Sequence, residues 1–209
     1  MSWPHILSFS RVVAGPVVAA LILMWPGNGD LVAALVFGGA SLTDLVDGKL
    51  ARKSLRVSAL GVFLDTTADK ILVSITLVAM AIAELAPAWM VLVIIGREFL
   101  VSGLRSYAAS CGRIISAHIW GKGKAALTMV AASCVLVAAA GRDGRWIGGM
   151  MSHQHWDQLL TGAIWLLGVA TVLTIVSGAR YVVDALPLLR GTPDVGSDPI
   201  PRASGDRVR

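Results

Sequence analysis

Six apolar stretches, near residues 6–25, 31–52, 61–83, 88–110, 124–140 and 159–182, run through this chain. Each is close to the roughly 20 helical residues that cross a hydrocarbon core. Backbone polar groups find no water there, so a chain that spans lipid must form helices or a closed barrel. The barrel fails, because these stretches are continuously apolar rather than alternating. Hydrophobic residues make up 56% of the sequence and the mean hydropathy is +0.73, too apolar for a soluble domain. The expected fold is all-α, a single polytopic membrane domain over residues 1–190 with six transmembrane helices. Residues 191–209 are rich in Pro, Gly, Ser and Asp and are expected to be a disordered tail.

Charge orients this array. Lys49, Arg52, Lys53 and Arg56 fall between the second and third stretches, and Arg105, Arg113, Lys122 and Lys124 in or beside the next loop on that side. Arg190, Arg202, Arg207 and Arg209 lie in the tail, whereas the opposite loops hold only Arg142 and Arg145. The positive-inside rule therefore puts the N-terminus and the basic loops in the cytoplasm. The net charge of +5 is spread over several loops, which argues against nucleic-acid binding and suits anionic lipid. The first stretch lacks a basic start and a small-residue cleavage site, so it reads as a retained span. Trp3 and Pro4 are expected to open a short surface helix before it. Most of the seven Trp residues sit near span ends, as interfacial anchors do. Cys111 and Cys134 have no metal-ligand spacing and read as free thiols.

Against this background stand Asp44, Asp47, Asp65 and Asp69, at the cytoplasmic ends of stretches two and three. A carboxylate in a bilayer is costly, so a cluster of them reads as a functional site. Asp44 and Asp47 are three apart and Asp65 and Asp69 four apart, so each pair shares a helix face. The active site is therefore expected at the cytoplasmic ends of helices 2 and 3. Like charges at such density need protons or cations. No His or Cys lies between residues 44 and 69, and an all-oxygen donor set favours Mg2+ or Mn2+ over zinc. Two divalent cations would neutralise the four acids, and metal pairs commonly serve phosphoryl displacement. Gly48, Ala51 and Gly61 leave room for a ligand beside them. The bland reading makes these aspartates loop or cap residues outside the lipid. His153 and His155 are a weaker metal candidate on the outer side.

The fourth stretch carries a second polar group: Arg97, Glu98, Ser102 and Arg105, with Lys122 and Lys124 opening the fifth. Arg97, Arg105 and Lys122 are candidates to gather an anion, since guanidinium groups suit bidentate phosphate binding. The competing readings are an ion pair between Arg97 and Glu98, ordinary loop lysines at 122 and 124, and a Lys70 that merely balances the acids.

The aspartate segment meets every fixed position of the pattern D-x2-D-G-x2-A-R-x8-G-x3-D-x3-D. It resembles the signature of the CDP-alcohol phosphatidyltransferases. The resemblance extends to Pro4–Arg11, Gly96–Arg105, Gly121–Lys124 and Ser177–Tyr181, and so covers most of residues 4–182. These wider segments are most similar to the branch of that family whose acceptor is sn-glycerol 3-phosphate. His5 and Ser8 depart from the Asn and Thr usual there. Ser8 keeps the hydroxyl, and His5 changes one contact expected near the nucleotide.

The resemblance implies a homodimeric enzyme of six transmembrane helices in the bacterial cytoplasmic membrane. It implies CDP-diacylglycerol as donor, held by Gly48, Ala51, Arg52, Gly61 and Ser8. It implies two metals on Asp44, Asp47, Asp65 and Asp69, with Asp69 also the general base. The acceptor hydroxyl would attack the β-phosphorus, giving phosphatidylglycerophosphate and CMP. Two rivals remain: another acceptor such as inositol phosphate, serine or choline, and, more remotely, a cation transporter using the same acids.

Overall fold

The computed structural model describes the backbone over residues 3–50, 59–111 and 120–189, and side chains over 9–43, 67–111 and 123–186. Every regular element among the described residues is helical. The order is α1 (Trp3–Met24), α2 (Asn28–Leu50), α3 (Ala59–Ile82), α4 (Ala88–Ser110), α5 (Trp120–Asp143) and α6 (His153–Leu189), with a 3-10 turn at Gly148–Met150 before α6. Each apolar stretch became one helix. α4 coincides with its stretch, α1 to α3 are shifted by one to three residues, and α5 and α6 overrun theirs at both ends, because apolarity marks lipid depth whereas backbone hydrogen bonding continues into polar sequence. No separate surface helix precedes α1. Pro4 falls in its first turn, where a missing N–H costs nothing, so the helix starts at Trp3.

The helices pack as α1 on α2 and α3, α5 on α2 and α6, and α4 on α6. The core runs through Val18, Ile22, Phe37, Leu72, Leu77, Met80, Val135, Leu136 and Leu167. On α5, Ala131, Ala132, Ala138 and Ala139 are buried, and such small side chains let neighbouring helices approach closely. α1 and α3 meet where a Cβ on Gly15 would lie 3.2 Å from Ile75. Hydroxyls in this apolar interior bond back to their own helix, Thr76 to the Leu72 carbonyl at 2.9 Å and Thr171 to that of Leu167 at 2.8 Å.

Large apolar side chains also cover the outside, among them Leu92, Phe99, Trp165, Val169, Val172 and Val183. Water would not tolerate such a surface, whereas lipid would. Two helical segments, Gly123–Asp143 and His153–Leu186, are long and apolar enough to cross a membrane among the described residues. The chain is a helical membrane protein.

One end of the bundle is tightly knit. The α1–α2 connection needs only Trp25, Pro26 and Gly27, because Gly27 takes a φ of +85°. Asp30 accepts the Gly27 N–H at 2.7 Å, the reciprocal half of a capping box. The Asn28 side chain accepts the N–H groups of Arg145 and Trp146, at 2.9 and 3.2 Å. Trp25 and Trp146 meet edge to face, 5.6 Å between centroids. The long α5–α6 connection is thus a clasp over the α1–α2 turn. At the same end, α3 closes with the Leu85 N–H on the Met80 carbonyl and Glu84 in the left-handed region, a Schellman ending built without glycine.

Candidate active site

The polar residues of α4 divide between two faces. Glu98 and Ser102, four apart, turn toward α3 and α5. Arg97 and Arg105 turn toward α6. Arg97 projects about a quarter-turn from Glu98, whereas Arg105, seven residues on, leaves the helix on nearly the same side as Glu98 and reaches α6 by the length of its side chain.

On the first face a cavity of about 40 Å3 opens between α3, α4 and α5. That is room for two or three water-sized groups. It exists because α3 and α4 touch only lightly. Asp69, Lys70, Glu98, Lys124 and Thr128 supply its polar lining, and Val73, Leu77, Ile94, Ile95 and Met129 its apolar part. Lys70 donates to Ser102 Oγ across the α3–α4 gap. Lys124 donates to Glu98 Oε1, which Arg97 also approaches at 3.1 Å. Lys124 is only 5% exposed, so it is a buried member of the site and not a loop charge.

On the second face Arg97 lies across α6. Its Nη2 donates to Ser177 Oγ at 2.7 Å, and a Cβ on Gly178 would stand 2.8 Å from its Cγ. Glycine there is what lets the side chain pass. Arg105 Nη2 donates to the Tyr181 hydroxyl at 3.0 Å. The Tyr181 ring serves both arginines, 5.5 Å from the Arg97 guanidinium carbon and 5.3 Å from that of Arg105.

Across both faces stand Lys70, Arg97, Arg105 and Lys124, with Asp69 and Glu98 among them. Lys124 is buried, Lys70 and Arg97 are half-buried and Arg105 is exposed at the edge, so positive charge gathers where α3, α4, α5 and α6 approach one another. An arginine does not shed its proton to relieve this, so an anion is the natural complement.

Of the residues singled out from sequence, Asp69, Arg97 and Arg105 are described in full. Asp69 faces the cavity and the two arginines share Tyr181. Arg97 does form the ion pair with Glu98, yet its other nitrogen carries it to α6. Asp44, Asp47 and Gly48 lie in the last turns of α2, Asp65 and Gly61 in the first half of α3, and Lys122 in the first turn of α5. The side chains of these residues, with Ala51, Arg52 and Ser8, lie outside the described residues, as does the tail 191–209. No group of three or more potential metal ligands gathers among the described residues. The donor chemistry still fits a hard cation. Four carboxylates, with no nitrogen or sulfur ligand between residues 44 and 69, are divided between two successive helices.

Sequence reasoning noted Ser177–Tyr181 as a segment of resemblance but gave Ser177 and Tyr181 no role, and it missed the structural reach of Lys70 and Lys124. Ser177 and Tyr181 are four apart on α6, the spacing that aligns them, but nothing local ties that stripe to α4.

The family model for CDP-alcohol phosphatidyltransferase matches residues 1–176. The chain belongs to the CDP-alcohol phosphatidyltransferase family, and is thus a transferase of phospholipid synthesis. It is 41% identical over 151 residues, 72% of either chain, to the CDP-diacylglycerol--glycerol-3-phosphate 3-phosphatidyltransferase of Bacillus subtilis (strain 168). Proteins of the same name from Pseudomonas fluorescens and Rickettsia bellii (strain RML369-C) are each 32% identical. The first match spans 91% of this chain and 93% of the relative, the second 85% and 92%.

Proposed function

We propose that this protein transfers a phosphatidyl group from CDP-diacylglycerol to sn-glycerol 3-phosphate, giving phosphatidylglycerophosphate and CMP. The observation that supports the choice of acceptor is the gathering of Lys70, Arg97, Arg105 and Lys124 around the end of the site that Asp69 lines. Choline brings a further cation, and serine a single carboxylate beside an ammonium group, whereas a phosphate dianion complements clustered cations better than either. The names of the relatives favour glycerol phosphate over inositol phosphate.

In this reading the acceptor's phosphate sits against Arg97, Arg105 and Lys122, which fixes its free hydroxyl near Asp69. Asp69 takes the hydroxyl proton as the oxygen attacks the β-phosphorus. The new P–O bond forms as the bond to the bridging oxygen of the pyrophosphate breaks, and that oxygen departs on CMP. Asp44, Asp47, Asp65 and Asp69 would hold two divalent cations, Mg2+ or Mn2+, whose chemistry is to offset charge on the dividing pyrophosphate. Gly48, Ala51 and Gly61 give the cytidine portion access to the helix backbones, and Arg52 and Ser8 hold the nucleotide end.

The same reading makes the chain a six-span homodimer of the bacterial cytoplasmic membrane, with its N-terminus and active site facing the cytoplasm, surrounded by lipid. Residues 1–190 form the catalytic domain and 191–209 a disordered tail.

An acceptor panel tests the function. Purified protein with labelled CDP-diacylglycerol should release CMP with glycerol 3-phosphate, and far more slowly with inositol phosphate, serine or choline. Faster turnover with a neutral alcohol would sink the phosphorylated-acceptor reading. Absence of CMP release with every acceptor would revive the transporter. For topology, Ser54→Cys in a chain lacking Cys111 and Cys134 should react with an impermeant reagent in inverted vesicles only.

A further inference from the structure

We infer that Tyr181 is a positioning residue for the acceptor: its ring and hydroxyl hold Arg97 and Arg105 together as one phosphate clamp. This rests on the phosphorylated-acceptor reading above and adds to it the element that assembles the clamp. Arg97 and Arg105 are eight residues apart on α4, more than two turns, so α4 alone does not bring their guanidinium groups together. Both are long side chains with considerable rotamer freedom to lose. The group that gathers them is on another helix.

Tyr181 is 3% exposed and lies on α6, the helix that packs against α4. One ring lies within cation–π distance of both guanidinium groups, at 5.5 and 5.3 Å. Its hydroxyl accepts from Arg105 at 3.0 Å, which fixes that arginine's rotation. Ser177, one turn earlier, accepts from Arg97 at 2.7 Å, and Gly178 leaves the channel through which Arg97 passes. The α6 stripe 177–178–181 is therefore a bed shaped for two arginines. It does not neutralise them, since neither a serine nor a phenol carries charge near neutral pH. The bed orients their charge, and Glu98 takes a share of that of Arg97. A structural anchor would pair each arginine with a carboxylate. A bed of uncharged groups suits a pair whose counter-ion arrives with the substrate.

Steady-state kinetics of the full-length enzyme in mixed micelles, with donor and acceptor varied separately, tests this. Tyr181→Phe should raise the KM for glycerol 3-phosphate about three- to ten-fold, through the lost hydrogen bond. Tyr181→Leu, losing ring and hydroxyl, should raise it about ten-fold or more. The KM for CDP-diacylglycerol should stay unchanged in both. The decisive arm is the double variant Tyr181→Phe/Arg105→Gln. If Tyr181 acts through Arg105, the second substitution adds little to Arg105→Gln alone. Additive losses, or a fall in kcat with the acceptor KM untouched, would overturn the positioning role. If Tyr181→Leu does not fold, Tyr181→Phe and the double variant still decide. The two readings also fail differently. An unchanged acceptor KM in Arg105→Gln sinks the clamp itself. A raised KM in Arg105→Gln with none in either Tyr181 variant sinks only the inference about Tyr181.

Discussion

Where α1 turns into α2, the chain packs until a single methyl group no longer fits; beside Asp69, the helices stand apart around a cavity of about 40 Å3. At the first place a Cβ on Gly27 would lie 2.7 Å from the Asp143 carbonyl oxygen, and one on Gly141 would lie 2.2 Å from the Trp156 ring. The hydrogen bonds there run from backbone N–H groups to Asn28 and Asp30. At the second place long cationic side chains reach across gaps between helices, to Ser102, Glu98, Ser177 and Tyr181. Close backbone packing suits a part that needs one conformation. Charged groups at a gap are costly to keep and are retained where a ligand uses them.

That contrast breaks most sharply at Asp69. Asp69→Asn keeps the shape but removes a charge and a base, so turnover should fall on the order of 10²–10⁴-fold even with saturating Mg2+. The thermal midpoint in detergent should be little altered. Near-normal turnover would remove Asp69 from catalysis. Withdrawal of divalent cations by a chelator should silence the unmodified enzyme in the same assay, and added Mg2+ or Mn2+ should restore it.

The opposite result is expected at the clasp. Gly141→Ala drives a methyl group into the Trp156 ring, and overpacking of this kind costs about 1–3 kcal/mol. The melting temperature should drop while the kcat of the surviving folded protein stays near that of the parent. If instead kcat falls with stability unchanged, the clasp and the site are coupled and the comparison is wrong.

Arg105→Gln sharpens the comparison from the site's side. It should lower acceptor kcat/KM by an amount equivalent to about 1.5–3 kcal/mol, the worth of a hydrogen bond to a charged group. The donor KM and the melting temperature should hold. A variant that merely misfolds, with no selective acceptor defect, would move Arg105 to the structural side of the ledger.

The smallest effect concerns Asp30, in the turn ahead of the second apolar stretch. Burial pushes its carboxyl above the ordinary value of 3.8, partly opposed by the Gly27 N–H. A folded-state value raised in this way contributes stability that is complete below the unfolded value and is lost as pH rises through the folded one. Asp30→Asn keeps an acceptor oxygen for Gly27 without the charge. The variant should gain stability relative to the parent as pH rises through and above the raised value. The gain should vanish well below pH 3.8. A pH-independent difference between the two melting curves would show that the buried charge is not what the turn tolerates.

Much of this molecule was legible in one dimension. Six apolar stretches became six helices because lipid offers a backbone no other partner than itself. The aspartate signature was legible because its spacing encodes helix faces, and it led to the family before any coordinates. The α5–α6 connection was not legible. Its length suggested no role, and its work is done by Asn28, more than a hundred residues away. The sequence stripe Arg97–Arg105 read as one cluster, but Glu98 and Ser102 pair with α5 and α3 while the arginines reach α6, a division that for Arg105 is set by side-chain reach and not by its place around the helix.

Composition and periodicity by themselves determined the class of fold and the membrane setting, since both depend on local backbone geometry and on transfer from water, and the spacing of the aspartates pointed to the family. Only the tertiary structure decided that Lys124 is buried against Glu98, that Gly178 clears a path for Arg97, and that one tyrosine orders two arginines. Those are contacts between helices. They depend on crossing points and side-chain reach, and no spacing along one chain segment encodes them.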